Sequence, residues 1–420
     1  MRKLSDKELE VLSTSLMVSQ EPSRYAFGAK PNIFYLYDTQ GNYVYVPFSY
    51  RDDIPRPERE TFEKRRIVFE GELREEQKVV KSEAINILNK KGSVIISANP
   101  AFGKTCLSIY IASKIGMKTL VICNRVVLIK QWKESILKFC PTAKVQILSA
   151  SDAMKDDIDF YIMNATNVPK HGREFYKGIG FLCVDEMHLI MAERLSTCMK
   201  YILPRYLLGL SATPYRNDGL DILIDMYFGK EKITRKLYRQ HTVYKVKTDF
   251  KPEVVLNRMG KVDWGSVIES QCSNTKRNEL IISVIKYFSD RVFLVLCKRV
   301  AQANYLIERL KEEKEDVTSL VGSQQEFQRE SRILVGTCQK CSTGFDHQRL
   351  NAMILASDVE QYFVQYLGRV FRTKEVTPLI FDFVDNYGLL EKHYKTRMAT
   401  YIEHGGVVKD FFKEFPNFPK

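Results

Sequence analysis

Ala98-Asn99-Pro100-Ala101-Phe102-Gly103-Lys104-Thr105 is the stretch whose reading decides the fold. An apolar run, Ser93-Val94-Ile95-Ile96-Ser97, leads into it, and a helical pattern from Cys106 to Lys114 follows. Strand, loop and helix in that order are what a phosphate-binding loop requires. Backbone N–H groups at the helix start face an anion, Lys104 supplies charge, and the Thr105 hydroxyl is placed to hold Mg2+. Ala98 and Ala101 stand where such loops usually carry glycine.

Outward from this loop, short apolar runs alternate with helical patterns. Candidate strands are Val94–Ser97, Thr119–Cys123, Val145–Leu148, Phe160–Asn164, Phe181–Asp185 and Tyr206–Ser211. A second alternation runs from about 275 to 405, with candidate strands Arg291–Cys297, Val317–Leu320, Ile333–Thr337, Ala352–Ala356 and Pro378–Val384. Such alternation predicts parallel sheets covered on both faces, an α/β class with two blocks. The expected division is a small β-rich N-terminal domain and linker over 1–66, a first block over 67–232, and a connection with the second block over 233–420. In the N-terminal part, Asn32–Tyr37 and Tyr43–Phe48 flank the turn cluster Asp38-Thr39-Gln40-Gly41-Asn42, which predicts a hairpin with an aromatic core. Tyr244-Lys245-Val246-Lys247 falls in an irregular basic stretch, read as the connection and the edge of the second block.

Size and charge bound the rest. A chain of 420 residues holds two core-forming domains. Its net charge of +13 favours a polyanionic partner such as nucleic acid. No apolar run is long enough to span a membrane, and Met1–Asp6 lacks a signal core, so an intracellular, reducing location is expected. The nine cysteines are scattered, and Cys338-Gln339-Lys340-Cys341 is the only C-x-x-C, so no zinc centre is expected.

Three further clusters carry chemistry. Val184-Asp185-Glu186-Met187-His188 closes an apolar run, placing two carboxylates at the mouth of a parallel sheet. Asp185 is suited to order Mg2+ opposite Thr105, and Glu186 to take a proton from an attacking water. Leu208-Gly209-Leu210-Ser211-Ala212-Thr213-Pro214 ends a strand in two hydroxyl residues near that pair. Gln365, Arg369 and Arg372 are spaced i, i+4 and i+7, so one helix face would present an amide and two guanidinium groups to a polyphosphate.

These elements, in this order, resemble the superfamily 2 helicases and translocases of the DExH type over about residues 67–405. The phosphate loop looks like Walker A, Asp185-Glu186-Met187-His188 like Walker B, Ser211-Ala212-Thr213 like motif III, and Gln365–Arg372 like motif VI. Leu73-Arg74-Glu75-Glu76-Gln77, Leu120–Arg125 with Gln131-Trp132, Phe293–Lys298, and Val335-Gly336-Thr337 with Thr343-Gly344-Phe345-Asp346 look like the adenine-reading segment and motifs Ia, IV and V. The branch most resembled holds the TFIIH unwinding subunit, phage recombination helicases and poxvirus-type DNA helicases that act in transcript release. The resemblance implies tandem RecA-like domains that hydrolyse ATP with Mg2+ in the cleft between them and move on or unwind DNA.

By the same resemblance, Asn99, Pro100, Ala101, Phe102, Gly103, Lys104 and Thr105 hold phosphates, with Gly344, Asp346 and Gln365 also at the nucleotide. Gln77 reads adenine, supported by Arg74. Glu186, Lys104, Arg369 and Arg372 are catalytic, and His188, Ser211 and Thr213 couple the nucleotide to the nucleic-acid surface. Arg125 and Thr337 contact the DNA backbone. The implied partners are duplex, branched or single-stranded DNA and transcription or repair proteins, with no membrane, around a monomeric core. An RNA-directed remodeller, and an ATP-gated clamp or motor subunit of a nuclease complex, are the alternatives. Against the RNA reading, His188 stands where DEAD-box enzymes carry a second Asp.

Overall fold

The computed structural model describes residues 6–20, 32–41, 43–51, 53–54, 56–99, 102–192, 195–212, 220–257, 259–324, 326–341, 347–360, 363–373 and 375–419. The chain separates into two compact units. One takes in Met1–Ala98 and Phe102–Arg235, the other Lys236–Lys420.

Ahead of the first sheet lie four short strands, β1 (Met17–Gln20), β2 (Asn32–Tyr35), β3 (Asp38–Gln40) and β4 (Tyr43–Tyr45). The expected hairpin is repartnered: β2 pairs antiparallel with β1, and the tight hairpin is β3 with β4. Gly41, at φ +59, makes that turn, so Asp38 and Gln40 are released from the turn into a strand. The aromatic core expected here does not form separately. Leu16, Val18 and Leu36 are buried in the same cluster as Leu182, Leu207 and Tyr227 of the first unit, while Tyr35 and Tyr43 are exposed. Arg173 fastens the hairpin, donating to Asp38 and Gln40 and lying 3.8 Å over the Tyr45 ring.

The first sheet has seven parallel strands: β5 (Ser93–Ala98), β6 (Thr119–Cys123), β7 (Val145–Leu148), β8 (Phe160–Asn164), β9 (Phe181–Val184), β10 (Tyr206–Ser211) and β11 (Lys232–Arg235), in the order β11-β5-β10-β9-β6-β8-β7. Both faces are covered, so the inner strands β5, β6, β8, β9 and β10 are buried and mostly apolar, while the edge strands β7 and β11 carry polar residues. Val94 and Ile96 of β5 pack with the helices Glu75–Lys91, Lys104–Ile115 and Val126–Phe139, while Ile95 packs into the opposite cluster with Leu223 and Phe228.

The second sheet is also seven-stranded and parallel: β12 (His241–Lys247), β13 (Phe293–Cys297), β14 (Val317–Leu320), β15 (Ile333–Thr337), β16 (Ala352–Leu355), β17 (Leu379–Val384) and β18 (Gly406–Asp410), in the order β14-β15-β13-β16-β17-β12-β18. The stretch around Tyr244 is thus an inner strand, hydrogen-bonded on both sides, and β18 forms the edge. Buried ion pairs tie its strand ends together. Asp385 accepts from Arg277 Nε at 2.9 Å and from Thr248 Oγ1 at 2.6 Å, and Arg397 bridges Asp382 and Asp358 at 2.8 and 2.6 Å. No helix among the described residues is long and apolar enough to cross a membrane.

Candidate nucleotide site

Three neighbouring strands, β5, β10 and β9, deliver the first unit's polar residues to the carboxyl end of its sheet, where open parallel sheets bind ligands. The phosphate loop leaves β5. Ala98 is that strand's last residue, 1% exposed and paired with Arg235, so extended backbone there has no need of glycine. Gly103 is indispensable: it sits at φ +79 as the N-cap of Lys104–Ile115, and a Cβ would fall 2.7 Å from Gln77 Nε2. The Lys104 ammonium is buried and donates to the Ala98 carbonyl at 2.7 Å, and Thr105 follows it in the first helical turn. Asn99 is half-buried beyond β5, and Pro100 and Ala101 lie outside the described residues.

Gln77 and Arg74 brace this loop. Gln77 Nε2 donates to the carbonyl of Phe102 at 2.8 Å, its Oε1 accepts from Arg74 N at 2.9 Å, and the Arg74 guanidinium also donates to the Phe102 carbonyl. The two residues expected at adenine are therefore bonded to the loop expected to hold phosphates.

Asp185 follows β9 and is buried. Burial, then the neighbouring charge of Glu186, pushes its carboxyl up to about 6, against the opposing pull of Trp132 and Lys104. Its Oδ2 accepts from Trp132 Nε1 at 2.8 Å and its Oδ1 from Glu186 N at 3.0 Å. Glu186 occupies the left-handed region at φ 46, ψ 49, a conformation costly for a side chain with a Cβ and typical of sites where surrounding structure imposes strain. Its Oε2 is buried with no hydrogen-bond donor and lies 3.5 Å from His188 Nδ1, which bonds Ser211 Oγ at 2.8 Å. Glu186, His188 and Ser211 thus form one chain from β9 to β10, and Thr213 lies outside the described residues. Arg125 follows β6 and is the N-cap of Val126–Phe139. The Thr105 hydroxyl and the Asp185 carboxylate are hard oxygen donors suited to Mg2+, and the buried Asp185 carboxylate beside Glu186 Oε2, which lacks a donor, fits a cation.

In the second unit, Gln365 and Arg369 lie on the helix Phe363–Val370, and both are buried. Neither amide atom of Gln365 has a hydrogen-bond partner. Arg372 does not share their helix face as its spacing predicts, because the helix stops at Val370. There Phe371 turns inward against His241, 4.7 Å between rings, and Arg239 Nη1 holds the Phe371 carbonyl at 2.6 Å. Burial pushes the Arg372 guanidinium below its ordinary value. Thr337 ends β15 and is 9% exposed, while Gly344 and Asp346 lie outside the described residues. Sequence reasoning missed Trp132 as a partner of Asp185, since nothing in its spacing marks that contact.

A strand–loop–helix segment ending in Gly-Lys-Thr, with paired carboxylates following β9, one strand removed across β10, and two parallel α/β units, defines a P-loop nucleotide-binding fold with tandem RecA-like units. The family model "Type III restriction enzyme, res subunit" matches residues 70–216. "Putative helicase 161L" of Invertebrate iridescent virus 6 is 41% identical over 97% of this chain and 99% of its own length, and "Putative helicase 055L" of Frog virus 3 is 33% identical over 88% and 86%. The chain belongs to this helicase family, whose members use ATP, normally with Mg2+. The solved structure of S. cerevisiae Dbp5 bound to RNA and ADP BeF3 shares the fold, with a TM-score of 0.57 at 14% identity over 80% of this chain and 91% of that one.

Proposed function

We propose that the protein is a DNA-stimulated ATPase of the DExH type that translocates on or unwinds DNA, with the first block as its ATP-binding domain. The observation that carries the reading is the run of contacts from strained Glu186 through His188 to Ser211 beside the Lys104 loop. In this reading Lys104 and the loop N–H groups hold the phosphates, and Thr105 and Asp185 hold Mg2+. Bound there, Mg2+ neutralises charge developing on the transferring phosphoryl group. Glu186 Oε2 takes the proton of the attacking water, and His188 receives the resulting change through their 3.5 Å contact. Arg369 and Arg372 stabilise the transferring phosphate, with Gln365 on the same helix as Arg369. Gly344 and Asp346 also serve the nucleotide.

Arg125 and Thr337 contact the nucleic-acid backbone, which gives affinity without base specificity. Support for DNA comes from His188 in the box where DEAD-box RNA enzymes carry Asp. A role in viral transcript release, repair or recombination belongs to the same reading, the relatives 161L and 055L being viral. The test is ATP turnover with no nucleic acid, single-stranded, duplex or branched DNA, and RNA. DNA-specific stimulation is expected. Glu186→Gln should lower turnover by about 10²–10⁴-fold while nucleotide binding persists. Equal stimulation by RNA would replace the DNA reading, and binding without turnover would favour the clamp.

A further inference from the structure

The Asp185 carboxylate receives its two hydrogen bonds from different parts of the first unit. Oδ1 takes one from the next residue's backbone, and Oδ2 takes the other from the Trp132 indole N–H at 2.8 Å. Trp132 is 2% exposed and Asp185 8%, so this bond lies away from water, where orientation counts most. An indole N–H only donates. It therefore supports the charged carboxylate and fixes its rotamer while leaving each oxygen a further lone pair.

Trp132 belongs to the helix Val126–Phe139, whose N-cap is Arg125 at the carboxyl end of β6. Arg125 and Trp132 are seven positions apart, two helical turns, on the stripe that also carries Leu128, Ile129 and Ile136. Leu128, Ile129, Trp132 and Ile136 of that stripe are buried in the first unit's core while Arg125 is half-buried, so Arg125 and Trp132 stand about 10 Å apart along the axis of one packed helix.

We propose that Trp132 is a positioning residue that orients Asp185 toward the Mg2+-nucleotide and transmits nucleic-acid contact at Arg125 to that carboxylate. The inference rests on the function proposed above. A small shift of the helix lengthens the 2.8 Å bond, and such bonds weaken steeply with misalignment. Linkage makes the effect reciprocal: nucleic acid changes Mg-ADP affinity by the factor by which Mg-ADP changes nucleic-acid affinity.

The chain has two tryptophans, which gives a readout independent of turnover. Trp264 lies in the second unit and its Nε1 has no hydrogen-bond partner, so Trp264→Phe costs no bond and leaves Trp132 as sole tryptophan emitter. In that variant Mg-ADP and a DNA oligonucleotide should each change Trp132 emission, and adding Arg125→Ala should remove the oligonucleotide's effect. In full-length protein, Trp132→Phe should bring the reciprocal coupling factor, expected at about 5–150-fold, close to one. Both ligands binding while Trp132 emission stays unchanged would overturn the proposal without needing a change at position 132. So would a Trp132→Phe protein that keeps wild-type coupling. Failure of the Trp264→Phe protein to bind either ligand would instead sink the underlying functional reading.

Discussion

At the scale of the residue, Asp185 makes the sharpest statement. Its carboxyl stands at about 6 against an ordinary 3.8, so the folded state holds that proton more tightly than the unfolded chain. Stability is therefore lost as pH rises from about 4 to about 6, and the penalty stands in full above that window. Asp185→Asn should raise the melting temperature of ligand-free protein at pH 8, with the gain shrinking toward pH 4.5, as thermal melts at the two pH values would show. Gly103→Ala should do the opposite. It forces a Cβ into the left-handed region, about 1–2 kcal/mol, and displaces the Gln77 amide, so nucleotide affinity measured with a fluorescent analogue should fall along with stability. Gly103, Lys104, Thr105 and the Asp185-Glu186 pair were legible because phosphate chemistry restricts residue type and spacing together. The Gln77–Phe102 and Trp132–Asp185 bonds were not, because they join segments whose approach only the folded sheet determines.

At the scale of the element, strands buried on both faces announced themselves as apolar runs. The inner strand β12 did not, because Lys245 interrupts it, and that charge is met inside the fold by Glu391 at 2.7 Å and the Tyr394 ring at 4.5 Å. The edge strand β18 offers only Val407-Val408 as a β signal. Helical spacing placed Arg372 on a face that ends before it, since a local period cannot anticipate the inward turn of Phe371. The ion pairs at the end of the second sheet give an element-level expectation. Arg277 and Asp385 have fully buried side chains, so Asp385→Ala strands an unpaired guanidinium and should cost about 3–5 kcal/mol. Hydrogen exchange should then quicken across β12, β17 and the helix Thr275–Tyr287 before it changes in the first sheet.

At the scale of the whole molecule, each unit carries its own sheet and its own pair of apolar clusters. Residues 1–235 expressed alone should fold and bind Mg-ATP, and on the function proposed above should fail to hydrolyse it without Arg369 and Arg372. Circular dichroism, nucleotide titration and phosphate release would check each part. The N-terminal strands belong to that first core, and this has a consequence in time. Asp38 waits for Arg173, synthesised 135 residues after it, so at ordinary translation rates it spends about 7–27 seconds without its partner. Leu16, Val18 and Leu36 likewise wait for Leu182, Leu207 and Tyr227, the partners that bury them, and a newborn molecule presents them to chaperones throughout that interval.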